Sequence, residues 1–154
     1  MTVWQVVVKS KPEPRGEKRV TFRSGGRTIN RLADKPAVAE YKAFLRQVIE
    51  SKAPSVLLDG PLSLKLVICR ERPKSTPKRE LYPTKMPDLT NYLKPIEDCL
   101  KGLVITDDAR IVDSHQHKRF APPGQAPFVA IRVSQVTWPP DLEELGGFGV
   151  EVNR

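Results

Sequence analysis

The order of apolar and polar residues predicts a chain built from strands and helices in alternation. Residues 2–8 (TVWQVVV) are almost continuously apolar and β-branched, which is typical of a strand buried on both faces. Residues 61–70 (PLSLKLVICR) alternate instead and predict a strand with one face in the core. Two further strands are predicted in residues 110–120 and 128–136, and the APPGQAP segment between them is too long for a tight turn.

Two segments repeat apolar residues at steps of three and four, the spacing of one helix face. The first runs from Pro36 to about Lys52, and its apolar face consists of Val38, Tyr41, Leu45, Val48 and Ile49. The second follows Asp88, and its apolar face consists of Leu89, Leu93, Ile96, Leu100 and Leu103. Gly102 is a typical residue for the end of this helix. Pro95 removes one backbone hydrogen bond, so we expect a kinked first turn or a later start.

The segments between these elements are basic. Residues 9–31 contain eight Lys or Arg residues and a Ser-Gly-Gly turn. They predict an irregular hairpin with Val20, Phe22 and Ile29 packed inward, and the alternative is a disordered charged loop. Residues 70–87 contain four prolines and therefore predict a loop.

Together these elements predict one α/β (α+β) domain, a small mixed β-sheet with two main helices packed on it. We assign this domain to residues 1–136. Residues 137–154 contain four acidic residues, two prolines and three glycines, and we interpret them as a C-terminal extension.

The charge of the chain favours a polyanionic partner. Lys and Arg number 26 against 18 Asp and Glu, which gives a formal net charge of +8 and a pI of about 9.7. Nucleic acid is the first expectation and an anionic membrane surface the second, and the alternative is a surface that only solubilises the chain. No apolar run is long enough to cross a membrane and no secretion signal is recognisable. With Cys69 and Cys99 expected as buried free thiols, we predict a soluble cytoplasmic protein.

Four aspartates surround the second predicted helix. Asp88 precedes the helix, Asp107 and Asp108 follow it, and Asp113 lies in the next strand. A helix of about ten residues is about 15 Å long, so these carboxylates meet only if the chain doubles back. Clustered carboxylates repel one another without a cation between them, and Mg²⁺ prefers oxygen ligands. We therefore predict a Mg²⁺ site, which Mn²⁺ could also fill; the alternative is that these residues only shape turns and the helix start.

Lys94 lies six residues after Asp88 and, on a helix that begins near Thr90, faces away from the apolar stripe. Its ammonium group could therefore approach the same pocket and contact a phosphate or offset charge on a leaving oxygen. Asp88, Lys94 and Asp108 are the predicted catalytic residues.

The stretch PDLTNYLKPIEDCLKGLVITDDARIVD, residues 87–113, resembles the signature of the RusA-type Holliday-junction resolvases. Asp88, Asn91, Lys94 and Asp108 match the residues of that pattern, and the resemblance implies metal binding through Asp88 and Asp108. It also implies a Mg²⁺-dependent endonuclease that acts as a homodimer on branched DNA. Thr90 departs from the pattern, which has an acidic residue there, and this departure puts the affinity or geometry of the metal site in doubt.

Cations in the basic segments are the expected contacts to the DNA backbone, where they orient the substrate without reading its sequence. The full predicted set is Lys11, Arg15, Lys18, Arg19, Arg23, Arg27, Arg31, Arg72, Lys74, Lys78, Arg79, Asn91, Lys118 and Arg119. His115 and His117 alternate on a presumed strand; exposed polar positions or phosphate contacts are a better interpretation than a metal site.

The sequence as a whole predicts a nuclease that resolves four-way junctions by paired symmetric nicks in DNA recombination and repair. One alternative is a non-catalytic nucleic-acid-binding protein, a degenerate relative disabled at Thr90. Another is a nuclease that cuts branched DNA without preference for junctions.

Overall fold

A computed structural model describes residues 2–136 of the chain. In order, its elements are β1 Val3–Val8, β2 Glu17–Ser24, β3 Arg27–Asp34, α1 Pro36–Glu50, β4 Leu62–Arg70, α2 Leu89–Leu100, a single 3₁₀ turn at Asp108–Arg110, β5 Ile111–Phe120 and β6 Phe128–Gln135. The predicted extension, residues 137–154, lies outside the described residues. No helix among the described residues is both long and apolar enough to cross a membrane.

Four strands form one mixed sheet in the order β1-β6-β4-β5. β4 and β5 are parallel, with α2 in the connection between them, and the other neighbours are antiparallel. Both helices pack on one face of this sheet, where Leu45 and Ile49 of α1 and Ile96 of α2 meet Leu64 and Leu66 of β4 in a single core. This confirms the mixed α+β class and the two helices that the apolar spacing predicts.

β1 differs from its prediction because it is buried on one face only. Trp4, Val6 and Val8 face the helices, whereas Val3 and Val7 are 49% and 54% exposed. The reason is that both helices cover the same side of the sheet, so the other side of this edge strand has no layer against it. The continuous apolar sequence of β1 therefore does not mean that both faces of the strand are buried.

β2 and β3 form the hairpin predicted for the basic segment, but they pair only with each other. Gly25 and Gly26 form its turn with positive φ angles of 57° and 74°, which match the twist of a two-residue hairpin. Val20, Phe22 and Ile29 were expected to pack inward, yet Phe22 and Ile29 are each 39% exposed. The prediction of an inward apolar face was wrong because the hairpin lies outside the core.

Pro95 lies inside α2 without ending it, because a contact from outside the helix replaces the missing bond. A residue at position 95 would normally donate its N–H to the carbonyl of Asn91, and proline has no N–H. The backbone N–H of Arg15 donates to that carbonyl instead, at 2.6 Å. The helix therefore begins at Leu89 and continues through Pro95.

Candidate active site

The chain turns back sharply after α2. Gly102 adopts a positive φ of 80°, and its N–H donates to the carbonyl of Ile105 at 2.8 Å. Val104 and Ile105 are fully buried, and Val104 also accepts the N–H of Leu58 at 2.8 Å. These buried anchors fix the reversal, so Asp107 and Asp108 lie beside the helix that precedes them.

Ion pairs join α2 to this turn. Lys94, Asp98 and Lys101 share one side of the helix because they are spaced by four and three residues. The Lys94 ammonium lies 3.1 Å from Asp98 and 3.3 Å from Asp108. The Lys101 ammonium lies 2.8 Å from Asp107 and 3.6 Å from Asp108. Asp108 is therefore held between two lysines of α2.

The same network extends to α1 and to the end of the hairpin. Lys42 lies between two carboxylates, 3.0 Å from Asp34 and 3.1 Å from Asp98, and its side chain is only 12% exposed. Seven charged groups thus alternate in sign, and we call them the acid–lysine chain: Asp34, Lys42, Asp98, Lys94, Asp108, Lys101 and Asp107. Its four carboxylates and three ammonium groups give an alternating, nearly neutral line along one side of the molecule.

The pairing shifts the pKa values of Lys94, Asp98 and Asp107 in the direction that favours their charged forms. A hydrogen bond to Asp98 raises the pKa of Lys94 more than its partial burial lowers it. Burial on its own would raise the pKa of Asp98, but hydrogen bonds from Lys42 and Lys94 outweigh it and the pKa is lowered. The Lys101 ammonium and the backbone N–H of Ala109 hold the pKa of Asp107 well below its usual range.

Glu97 is the exception among the neighbouring carboxyl groups. Burial raises its pKa, the nearby charges of Asp108 and Asp98 add to that rise, and Lys94 opposes it. As the pH falls, we therefore expect Glu97 to bind a proton before Asp98 or Asp107 does.

Asp88 occupies the N-cap of α2 and is exposed. Its carboxylate makes no capping hydrogen bond, so it is not needed to hold the helix start. At 1.5 Å per residue, Asp88 precedes Lys94 by about 9 Å along the helix axis. The structure therefore places Asp88 at the start of α2, and within residues 2–136 its carboxylate forms no ion pair with the acid–lysine chain.

A side chain of β5 holds the segment that directly precedes Asp88. The Lys118 ammonium donates to the carbonyl oxygens of Lys85 and Pro87, at 3.1 Å and 2.9 Å. Pro87 directly precedes Asp88 and follows a cis peptide bond. One cation of the sheet thus holds the two carbonyls that lead into α2.

Asp113 does not join the other aspartates, which corrects its place in the predicted ligand set. Its carboxylate accepts the hydroxyl of Ser63 and lies 3.1 Å from His115. Successive strand residues point to opposite faces, and His115 lines the open face of the sheet with Lys65 and Arg132. Asp113 is therefore on the side of the sheet opposite the helices.

The donor set fits a magnesium ion in part. Within residues 2–136, no three His, Cys, Asp or Glu side chains are grouped closely enough to hold a metal. Mg²⁺ commonly takes only one or two carboxylates and keeps waters for its other positions. Asp107 and Asp108 are adjacent and supply such oxygens. The ammonium groups of Lys94 and Lys101 now lie beside these carboxylates, where a metal ion would bind.

A comparison with known families identifies the family of this chain. Residues 11–134 match the model of the family described as Endodeoxyribonuclease RusA. The chain belongs to the RusA family. This membership confirms the resemblance of residues 87–113 to the RusA signature. The family consists of endodeoxyribonucleases whose activity is Holliday-junction resolution.

A curated relative in Bacillus subtilis (strain 168) is similar over most of both chains. It is 28% identical over 141 residues, which cover 84% of this chain and 94% of the relative. The relative carries the description "Uncharacterized protein YqaN". It therefore supports a shared fold of similar length and adds no activity of its own.

Several residues of this RusA-family site were missed from the sequence. Asp98 and Lys101 had a usable signal, because they lie four and seven residues after Lys94 on one helix side. Lys42 had none, because it is 56 residues from Asp98 and its contact depends on how α1 packs against α2.

Three of the predicted DNA contacts also have partners within the protein. Arg72 donates to the carbonyl oxygens of Pro77 and Glu80 at 2.9 Å and 2.8 Å, and Lys118 holds the carbonyls that precede Asp88. Arg15 is paired with Glu17 at 3.1 Å. The other predicted cations are exposed and form no ion pair within the described residues: Lys11, Lys18, Arg19, Arg23, Arg27, Arg31, Lys74, Lys78, Arg79 and Arg119.

Lys118→Met is expected to lower the free energy of unfolding by about 1–2 kcal/mol, because an exposed and a partly buried carbonyl oxygen lose a charged donor. Chemical denaturation of both proteins measures this difference. Arg119→Met is the matched control, since Arg119 is the exposed neighbour on the same strand. Equal stabilities of the Lys118 and Arg119 variants would show that the contact does not hold the segment before Asp88.

Proposed function

We propose that this chain is a Mg²⁺-dependent endonuclease that resolves four-way DNA junctions by paired symmetric nicks. The observation that carries the proposal is the contact of Lys94 with Asp108, at 3.3 Å, in a chain of the RusA family. Lys94 is a cation that can contact a phosphate, and Asp108 is a carboxylate that can bind a metal ion. The fold brings the two side chains together although they lie on different elements.

In this proposal Asp88 and Asp108 hold the metal ion, with Asp107 in support. A bound Mg²⁺ would polarise the phosphodiester and lower the pKa of an attacking water. Lys94 contacts the phosphate or the leaving oxygen, where its charge counts most as negative charge develops. Lys101 pairs with Asp107 and Asp108 and holds both carboxylates in orientation until the ion and the DNA arrive.

The positive surface that grips DNA is proposed to be the hairpin. Its cations Lys18, Arg19, Arg23, Arg27 and Arg31 are exposed and free of ion pairs within residues 2–136. Uncompensated cations of this kind release counterions from DNA when they bind phosphates, so affinity should fall steeply with salt.

A homodimer is proposed because the substrate has two-fold symmetry. Resolving a four-way junction takes two symmetric nicks, and each chain offers one acidic site. A dimer with two-fold symmetry supplies the second site in the matching orientation.

A non-catalytic DNA-binding function is the competing candidate, and Thr90 is the observation that favours it. Thr90 lies in the first turn of α2, two residues after Asp88, where the family pattern has an acidic residue. A hydroxyl is a weaker ligand for a hard cation than a carboxylate.

Cleavage of an immobile four-way junction with each strand labelled in turn tests the proposal. We expect nicks at symmetry-related positions in Mg²⁺ or Mn²⁺ and none in EDTA, with a linear duplex of the same sequence left uncut. If forks, flaps and junctions are cut equally, the chain is a general branched-DNA nuclease and not a junction resolvase. Cutting that persists in EDTA would overturn the role given to the metal.

A further inference from the structure

A cleft of about 510 Å³ lies between residues 11–14 and the segment that follows β4. Four cations line it: Lys11, Arg70, Arg72 and Lys74. Two glutamates, Glu13 and Glu71, also line it, so positive charge exceeds negative charge by two. None of the four cations forms an ion pair within residues 2–136, in contrast to the fully paired lysines of the acid–lysine chain.

One of these cations is fixed in place before any ligand binds. Two nitrogens of Arg72 donate to backbone carbonyls, and its guanidinium lies 5.3 Å from the centre of the Phe120 ring. Neutral carbonyls orient the group without cancelling its charge. A pre-oriented cation loses less conformational entropy when it binds an anion.

The cleft is directly beside the proposed catalytic residues. Pro87 lines it and is covalently joined to Asp88, and the carbonyl of Pro87 is held by Lys118 at 2.9 Å. Tyr92, in the first turn of α2, lines it as well. A DNA strand with one residue in this cleft would therefore have its neighbouring phosphate close to Asp88.

Size and lining together indicate the ligand. Pockets of roughly 300–1,000 Å³ hold single small molecules, so the cleft suits one nucleotide and not a segment of double helix. The rings of Pro14, Pro73 and Pro87, which are exposed or half-buried, offer apolar surface to a base, while the cations suit its phosphate. Proteins that bind single strands use a positively charged groove of this kind to follow the backbone.

We propose that this cleft binds one unstacked nucleotide of the DNA strand at the branch point. The inference rests on the proposed nuclease function and adds to it a reason for structure selectivity. Extruding a nucleotide from a duplex costs free energy, and this cost is smallest where pairing and stacking are already weakened. The branch point interrupts the stacking of neighbouring base pairs, so a nucleotide is extruded more easily there than from a linear duplex.

A junction series with 2-aminopurine at successive positions around the branch point tests the proposal, because this base fluoresces more strongly when it is unstacked. The protein used is the Asp108→Asn variant, so that no strand is cut during the measurement. At saturating protein we expect a severalfold rise at one position on each of two symmetry-related strands. The double variant Lys11→Ala/Lys74→Ala, made in the same background, should lose more than half of that rise.

The hairpin double variant Arg23→Ala/Arg27→Ala removes the same amount of charge and serves as the control. It should weaken DNA binding but keep the full rise once the junction is saturated. The proposal is overturned if no position brightens, or if the two double variants give the same signal at saturation. Brightening in a protein whose native form does not cut would overturn the nuclease function alone.

Discussion

Asp108→Asn is expected to slow junction cleavage by about 10²–10³-fold, the scale of single electrostatic contacts at a reacting centre, while leaving DNA affinity nearly unchanged. Asparagine preserves the size of the side chain but removes the negative charge that would bind the metal ion. Lys94 and Lys101 each lose one ionised partner and keep another, Asp98 and Asp107 respectively. The turn should therefore stay folded, and single-turnover cleavage on denaturing gels measures the loss.

Asp59→Asn is the matched control for this substitution. Asp59 is exposed, accepts the hydroxyl of Thr106 and pairs with Arg110 at 2.9 Å, outside the acid–lysine chain. It should cut at the native rate. If the native chain and the Asp108 variant both bind junctions and neither cuts, the DNA-binding function is favoured and the carboxylates have a structural role.

The spacing of apolar residues correctly predicted the two helices that pack into the core. The apolar stripes of α1 and α2 identify those helices because Leu45, Ile49 and Ile96 must all face the sheet. The same logic failed for β1, since an edge strand can carry Val3 and Val7 on an uncovered face. Apolar residues show where a strand is, but the position of the other layers decides how many of its faces are buried.

The site was predictable only where its contacts are local in sequence. The helical spacing of the apolar residues in α2 predicts the side on which Lys94 lies. Gly102, after the helix, predicts that the chain reverses and brings Asp108 back beside it. The pairing of Lys42 with Asp98 depends on the packing of two helices, which no local pattern encodes. Asp113 was misplaced because a register shift between β4 and β5, next to Leu62, precedes it and decides which face it occupies.

Lys42→Met is expected to lower the free energy of unfolding by about 2 kcal/mol, less than the 3–5 kcal/mol typical of a fully buried ion pair. The side chain of Lys42 is 12% exposed, and its removal leaves Asp34 and Asp98 without their shared cation. Both carboxylates are about one third exposed, at 34% and 32%, so water screens part of the loss. Urea denaturation at neutral pH measures the difference.

Arg46→Met is the matched control for Lys42→Met. Arg46 lies one turn later on α1, is exposed and forms no ion pair within residues 2–136. Arg and Met have similar helix propensities, so this substitution should leave the stability nearly unchanged. A double-mutant cycle isolates the contact itself: Asp98→Asn should cost less in the Lys42→Met background than in the native chain. Equal costs in both backgrounds would show that the ion pair does not contribute.

The stability that Lys42 supplies should also depend on pH in a defined way. Burial lowers the pKa of Lys42, but the hydrogen bonds that its ammonium donates to Asp34 and Asp98 outweigh it and raise that pKa above its usual value of 10.5. A raised lysine pKa stabilises the fold below pH 10.5, and that stability is lost as the pH rises through the folded pKa. The lowered pKa of Asp98 stabilises the fold above its usual value of 3.8 and is lost as the pH falls through the folded pKa. The stability difference between the native chain and Lys42→Met should therefore be constant between these limits and shrink beyond both, whereas a difference caused by lost apolar packing alone would not change with pH.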